Sequence, residues 1–278
     1  MKIGIACFSG TGTTLMYAAE IAKGLEKKGL TVDIHRLHRI KPEDLEKYDI
    51  LGFGTPTYSF TIPSNVGRFL NSIPSMKKPF FLFATCGGQP GNTISAMYST
   101  LKNKLGPFLG YVVGNSGTGS IRAWRPTYDK PEPKDGMPES EIKKATDFGR
   151  NLPDLYQKIA VEKSQKPPKV SYSILTGFLN TIASYEYQMR ILEGNKKVDQ
   201  QKCTKCGLCA TKICPSGSIT QKSKEEYPEI NNKTCFGCSG CVNLCPVLAI
   251  YSNKNVNRYP YTKYGTYILK SPANFINE

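Results

Sequence analysis

The first 115 residues alternate between short apolar runs and stretches with helical periodicity. A short run that is apolar throughout is typical of a parallel strand buried on both faces. The predicted strands are 2–7, 31–36, 49–54, 79–85 and 108–113. Between them, apolar residues recur three and four apart and indicate helices at 15–25, 64–71 and 93–105. This alternation predicts an α/β fold with a doubly wound, five-stranded parallel sheet, whose ligand lies beyond the carboxyl ends of the strands.

Composition divides the chain into further segments. A helix at 139–160 follows the last strand, and Pro153 is expected to interrupt it. The adjacent Pro167 and Pro168, set among lysines, mark a linker. The predicted boundaries are 1–160 for the α/β domain, 161–194 for a linker and inter-domain segment, 195–250 for a small cysteine-rich α+β domain, and 251–278 for a basic, tyrosine-rich C-terminal tail.

Residues 170–185 carry no charge, which is unusual for a connector. The segment is too short and too rich in Ser, Thr and Asn for a transmembrane helix. We expect it to pack the two domains together. The lysines on both sides leave contact with a membrane surface as the alternative.

Eight of the ten cysteines fall into two runs. Each run places two residues between its first three cysteines and closes with a fourth cysteine followed by proline. The runs are Cys203, Cys206, Cys209 and Cys214, then Cys235, Cys238, Cys241 and Cys245. Three thiolates so spaced can bind one face of an iron–sulfur cube, while the fourth is carried to the cluster of the other run. The spacing therefore predicts two [4Fe–4S] clusters and a role in electron transfer.

Two other uses of cysteine fit this spacing less well. Structural zinc favours paired Cys-x-x-Cys sequences that close one tetrahedral site. A disulfide framework needs an oxidising compartment, and nothing in the sequence indicates export. Cys7 and Cys86 lie outside the runs, and we expect both to be small buried hydrophobes, with tuning of a cofactor as the alternative for Cys86.

From 195 to 250 the chain resembles the bacterial-type two-cluster ferredoxins. The resemblance implies one cluster on Cys203, Cys206, Cys209 and Cys245, and the other on Cys235, Cys238, Cys241 and Cys214. The sequence departs from the family in one place. Four residues precede Cys214 where the family pattern has three, so that the stretch with Thr211, Lys212 and Ile213 is one residue longer.

A turn rich in Gly and hydroxyl groups separates the first strand from the first helix. It consists of Ser9, Gly10, Thr11, Gly12, Thr13 and Thr14. Amides, hydroxyls and the helix dipole in such a turn favour an anion. The turn lacks the lysine of a Walker loop and the glycine pattern of a dinucleotide loop, which favours a monophosphate.

This turn resembles the phosphate loop of flavodoxins, which bind FMN, and two later loops occupy the positions that hold the flavin ring in that family. The first contains Thr55, Pro56, Thr57 and Tyr58, and the second contains Cys86, Gly87 and Gly88. The resemblance implies that Tyr58 stacks on the flavin ring, whereas the simpler reading is a surface aromatic. Trp124 either flanks the flavin or covers the seam between domains. His35 and His38 are expected to be solvated and receive no role.

The chain of 278 residues has a formal charge of +15. Between 195 and 250, eight lysines outnumber four acidic residues. Such a surface favours an acidic redox protein, for example a ferredoxin. Nucleic acid would be attracted by the same charge, but no nucleic-acid-binding fold accompanies it. No secretory signal precedes the first strand, so we expect the protein in the cytoplasm. Oligomeric state is left open.

As a whole the chain resembles flavodoxin–ferredoxin fusion proteins of anaerobes. That resemblance implies an electron-transfer flavoprotein that passes electrons between two [4Fe–4S] clusters and FMN and couples one-electron to two-electron steps with an external partner. An alternative is a ferredoxin-dependent flavin reductase that acts on a small acceptor at the FMN. A redox or oxygen sensor is the third and weakest reading.

Overall fold

Five parallel strands form the sheet of the N-terminal domain. The computed structural model describes residues 1–116, 137–166, 169–174, 188, 191, 193–252, 254 and 264–269. The strands are β1 (Lys2–Cys7), β2 (Thr31–Arg36), β3 (Ile50–Pro56), β4 (Phe80–Cys86) and β5 (Phe108–Asn115). Their order across the sheet is β2-β1-β3-β4-β5, with every neighbouring pair parallel. This order confirms the predicted doubly wound sheet.

Helices cover both faces of this sheet. They are α1 (Thr13–Glu26), α2 (Ser64–Ser72), α3 (Thr93–Leu101) and α4 (Glu139–Tyr156). The core on one face holds Ile3 and Ile5 with residues of α1 and α4, whereas Ala6 belongs to the core under α2 and α3. Glycines allow helices α1 and α4 to approach closely. A Cβ at Gly24 or Gly149 would lie 2.1 Å from a backbone oxygen of the other helix.

Two local predictions in this domain are wrong. Helix α4 continues through Pro153, and a π-helical turn, Gln157–Val161, follows it. Leu152 beside Pro153 is fully buried, so packing outweighs the hydrogen bond that proline removes. His35 is also buried, and its Nε2 lies 2.6 Å from the Tyr48 hydroxyl, which in turn donates to Asp33. His38 is exposed, as expected.

The C-terminal domain is built from two short antiparallel strand pairs and short helices. Strand β6 (Lys196–Val198) pairs with β9 (Ile250–Ser252), and β7 (Ile219–Thr220) pairs with β8 (Glu229–Ile230). The helices are α5 (Gly240–Leu244) and α6 (Thr266–Leu269). The core that contains α1 and α4 continues into this domain through Ile213, Val242 and Ile268. The two domains therefore share one apolar core.

The connecting segment is described only in part. Ser173 exchanges two hydrogen bonds of 2.7 Å with the side-chain amide of Asn92, which fixes the start of the uncharged segment to the N-terminal domain. Residues 175–187 and Trp124 lie outside the described residues, so their predicted roles stay predictions. Within the described ranges, none of the helices combines the length and hydropathy that a bilayer-spanning segment requires.

Candidate functional site

The loop after β1 forms a closed turn at the carboxyl edge of the sheet. The Gly12 amide donates to the Ser9 hydroxyl at 3.0 Å, and Gly12 has φ +102°, which favours glycine. Ser9, Thr11 and Thr14 are all buried. The N–H groups in the first turn of α1 have no acceptor within the helix, so they offer hydrogen bonds to an anion. The local geometry fits a phosphate.

Hydroxyl pairs connect this loop to the neighbouring strand ends. The Thr14 hydroxyl lies 2.8 Å from that of Thr85 at the end of β4. The Thr57 hydroxyl lies 2.9 Å from that of Thr93, which also lies 2.7 Å from the Pro90 carbonyl. The three loops that the sequence singled out are therefore joined at one edge of the sheet. The Thr14 hydroxyl therefore connects the first loop to the end of β4, in addition to its predicted contact with phosphate.

The loop after β3 buries one aromatic residue and exposes another. Tyr58 is 3% exposed and packs edge-on against Phe8, with ring centroids 6.2 Å apart. The backbones of Tyr58 and Thr61 exchange two hydrogen bonds, which close a tight turn. Phe60 occupies that turn with φ +63° and is 36% exposed, against Gly91. Sequence reasoning did not single out Phe60, although an aromatic residue beside a predicted flavin loop was a usable signal.

The loop after β4 leaves part of its backbone accessible. Gly87, Gly88 and Gln89 are exposed, while the Cys86 thiol is buried and donates to the Gly88 carbonyl at 3.2 Å. Burial raises the pKa of the Cys86 thiol above its usual value. Cys86 therefore supports the turn as a neutral thiol, and Cys7 is fully buried in the core.

The eight cysteines of the two runs are brought together in crossed sets. Cys214 lines one largely enclosed cavity together with Cys235, Cys238 and Cys241. Burial and the neighbouring thiols of Cys206, Cys245 and Cys203 raise the pKa of the Cys209 thiol to about 11. These are the two sets that the ferredoxin resemblance implies. Among the described residues, no group of three or more His, Cys, Asp or Glu side chains surrounds one point as the ligands of a single metal ion do.

The backbone around the middle cysteine of each run has the same shape. Lys205 and Gly207 flank Cys206 with φ of +57° and +74°, and Gly237 and Ser239 flank Cys238 with φ of +73° and +55°. Successive residues in such conformations form concave loops that favour anions. An iron–sulfur cluster on four thiolates is an anion, so each loop fits one.

Two family models match this chain. A flavodoxin model matches residues 5–117, and a 4Fe–4S dicluster domain model matches residues 197–249. The chain is a flavodoxin–ferredoxin fusion. Domains of these two families bind a flavin and iron–sulfur clusters respectively.

Each of the following relatives matches only part of this chain. An uncharacterized protein of Methanocaldococcus jannaschii is 32% identical over 68 residues, 24% of this chain and 45% of that protein. The pyruvate synthase subunit PorD of the same organism is 40% identical over 53 residues, 19% of this chain and 59% of that subunit. The match to a solved archaeal flavodoxin spans 55% of this chain and 97% of the flavodoxin chain, at 13% identity and a TM-score of 0.43. The chain spans about half the length of the curated relatives it matches.

The dicluster domain lies directly on the phosphate loop of the flavodoxin domain. A Cβ at Gly10 would lie 2.9 Å from the Cys238 carbonyl, and a Cβ at Gly240 would lie 2.5 Å from the Gly10 carbonyl. Phe236 meets Phe8 with ring centroids 5.5 Å apart. Of the two thiol sets, the one with Cys238 therefore borders the flavodoxin domain. We call it the inner set, and the set with Cys206 the outer set.

The C-terminal tail also reaches the phosphate loop. The carbonyl oxygen of Tyr264 lies 1.8 Å from where a Cβ of Gly12 would be, so only glycine fits beneath it. The Tyr264 hydroxyl accepts a hydrogen bond of 2.8 Å from the Met137 amide. Sequence reasoning assigned these residues to a basic tail and missed this contact.

The extra residue before Cys214 forms a π-helical turn, Cys209–Ile213, in which the Cys214 amide donates to the Cys209 carbonyl. Its carbonyls face the end of β2. Arg36 donates to the carbonyl of Lys212 at 2.5 Å and contacts that of Ile213 at 3.5 Å, and Arg39 donates to that of Thr211 at 2.7 Å. The longer spacing thus presents three carbonyls to the flavodoxin domain. We call this contact the arginine clamp.

Proposed function

We propose that the chain conducts electrons between an external redox protein and FMN through two [4Fe–4S] clusters, held by the outer and inner sets. The observation that carries this proposal is the contact between Cys238 and Gly10. It sets the backbone of Cys238, a residue of the inner set, against the loop expected to hold the FMN phosphate. An electron that enters at the outer set then has a route through packed residues towards the flavin.

When bound, FMN exchanges one or two electrons, so it can join one-electron and two-electron traffic. The chain's residues supply position and electrostatics. Turn 9–14 binds the phosphate with amides and hydroxyls, and the exposed backbone of Gly87 and Gly88 approaches the ring. Among the described residues of these three loops, Phe60 is the exposed aromatic, and Tyr58 fills the space between the phosphate loop and Phe8. We therefore assign the contact with the ring face to Phe60.

The partner is expected to approach the outer set. Cys206 is the exposed thiol of that set. The exposed Lys202 precedes Cys203, and Lys205 donates to the Glu225 carbonyl, which brings the exposed Lys224 into the same region. Positive charge here favours an acidic redox protein. PorD, by its name, serves a pyruvate synthase, which supports a redox-protein partner for this chain.

None of the ten cysteines forms a disulfide. Free thiols and exposed cluster ligands suit a reducing compartment, which supports the cytoplasm as the site of action.

An anaerobic optical titration tests the proposal. We expect up to four equivalents of a one-electron-reduced acidic ferredoxin, two for the flavin and one for each cluster, to bleach the oxidised flavin band, at a rate that falls as salt is added. Persistent bleaching supports a carrier, whereas bleaching that reverses only when a small acceptor is supplied supports the reductase. No bleaching, with both cofactors present, contradicts the proposed route.

Charge reversal at the outer set should slow this reaction selectively. In the Lys202→Glu, Lys224→Glu double variant, we expect reduction by the ferredoxin to slow at least tenfold at low salt, and reduction by dithionite to be unchanged. The matched control is the Lys77→Glu, Lys102→Glu double variant, at two exposed lysines that follow α2 and α3 at the opposite edge of the sheet. Equal slowing in the control would show that only net charge matters.

Thr11 tests the position of the phosphate. Its side chain is buried in turn 9–14. A hydrogen bond to a charged group contributes about 1.5–3 kcal/mol, so Thr11→Val should weaken FMN binding roughly 10- to 100-fold. Flavin fluorescence measures the dissociation constant. Thr100→Val, in α3, removes a hydroxyl that bonds only its own helix and should leave binding unchanged. Unchanged binding in both variants means the phosphate lies elsewhere.

A further inference from the structure

A buried lysine lies beside the inner thiol set. Lys196, at the start of β6, is 3% exposed and lines the cavity formed by Cys214, Cys235, Cys238 and Cys241. Its backbone is fixed by the Asn232 side chain, which accepts from the Lys196 amide at 2.7 Å and donates to its carbonyl at 3.0 Å. The ammonium group is therefore held in place.

One carboxylate and two carbonyls surround this ammonium. Lys196 Nζ donates to the Gly194 carbonyl at 3.1 Å and to the Glu193 carbonyl at 3.4 Å, and lies 3.8 Å from a carboxylate oxygen of Glu193, which is 1% exposed. The same carboxylate oxygen accepts from the Ser239 hydroxyl at 3.1 Å, and Ser239 lies between Cys238 and Cys241. Burying a charge costs several kcal/mol unless it is compensated. An anionic cluster in the adjacent cavity adds to the compensation that Glu193 supplies.

The second run has proline where the first has this lysine. Seven residues before the first cysteine of each run stand Lys196 and Pro228. Near the outer set, Lys202 is exposed, so water and salt screen it, and the buried Arg36 is bonded to the carbonyls of Lys212 and Ile213. Lys196 is thus a buried charge at the cavity of the inner set that the second run does not repeat.

We propose that Lys196 raises the reduction potential of the inner cluster above that of the outer cluster. This inference rests on the proposed two-cluster function. Reduction adds one negative charge to a cluster, and a buried cation beside it stabilises that charge. One electron then leaves the reduced outer cluster and enters the oxidised inner cluster, with no proton transferred. Lys196 thereby directs electrons towards the flavodoxin domain, and the Glu193 carboxylate moderates its effect.

Potentials measured by EPR-monitored redox titration of the whole chain test this proposal. In Lys196→Met, we expect the equilibrium constant for reduction of the inner cluster to fall at least tenfold, which lowers its reduction potential by about 59 mV for a one-electron couple. The potential of the outer cluster should be unchanged. Glu193→Gln removes the opposite charge and should shift the same cluster in the opposite direction. Lys197→Met, at the exposed neighbouring position of β6, should shift neither.

The two opposite signs separate electrostatics from loosened packing, because a structural defect would shift both variants alike. If Lys196→Met fails to assemble clusters, the Glu193→Gln variant decides alone. In that case, the absence of an upward shift in potential overturns the inference. In a Cys214→Ala background, Lys196→Met should leave the remaining cluster's potential unchanged, and a shift there overturns the assignment to the inner set. A native chain with a single cluster contradicts the proposed function instead.

Discussion

Replacing Cys214 by alanine is expected to destroy the cluster held by Cys235, Cys238 and Cys241, and to spare the cluster of its own sequence run. Cys214 lines the cavity of that inner set, although it is closer in sequence to Cys209. A cluster that loses one of four thiolates is expected to become unstable or to lose an iron, so iron content should fall towards half. The EPR spectrum of the reduced protein should retain one cluster signal.

Comparison between variants identifies which signal remains. Cys214→Ala should give the spectrum of Cys238→Ala, and Cys245→Ala should give that of Cys206→Ala. Cys7→Ala is the matched control, because Cys7 is a buried core thiol far from both sets in sequence, and it should retain both signals. A Cys214→Ala spectrum that matches Cys206→Ala would refute the crossed assignment.

Local patterns in the sequence predicted most of the fold. The strand bounds 2–7 and 31–36 were predicted correctly because a short apolar run between turn residues encodes a buried strand by itself. The crossed ligand sets, which the resemblance to ferredoxins implies, stay a prediction that the cavity lined by Cys214, Cys235, Cys238 and Cys241 supports. For the strands, the information lies within a few neighbouring residues.

Features that depend on packing between distant segments were missed. His35 is buried because the hydroxyl of Tyr48, a residue of another segment, bonds its Nε2, and that hydroxyl in turn donates to Asp33. The contact of Gly10 with Cys238 joins residues more than 200 positions apart, and no periodicity encodes it. Exposure likewise distinguishes Phe60 from Tyr58, and exposure is a property of the folded loop.

The arginine clamp shows why the extra residue before Cys214 had no evident role in the sequence. The inserted residue lies in the dicluster domain, whereas the groups that bond its turn, Arg36 and Arg39, belong to the flavodoxin domain. The π-helical turn keeps Cys214 in the inner set while it turns three carbonyls outward. The departure from the ferredoxin spacing is therefore best explained as an adaptation for docking.

Arg36→Met is expected to uncouple the two domains without removing either cofactor. Arg36 is 6% exposed, and its guanidinium bonds the Lys212 carbonyl. Loss of a charge-assisted hydrogen bond costs about 1.5–3 kcal/mol, which weakens docking roughly 10- to 100-fold. Stopped-flow reduction of the flavin through the clusters should slow at least tenfold, and hydrogen exchange at 211–213 should rise, while iron and FMN contents stay native.

Graded variants distinguish docking from general damage. Arg39→Met should have a smaller effect, because its contact with Thr211 is exposed to solvent. Arg68→Met, which removes an exposed arginine that contacts only Ser64 of its own helix, should have none. Deletion of Lys212 restores the ferredoxin spacing and should retain both clusters but slow flavin reduction as Arg36→Met does. If the deletion conducts electrons at the native rate, the extra residue does not serve docking, and the clamp is incidental to electron transfer.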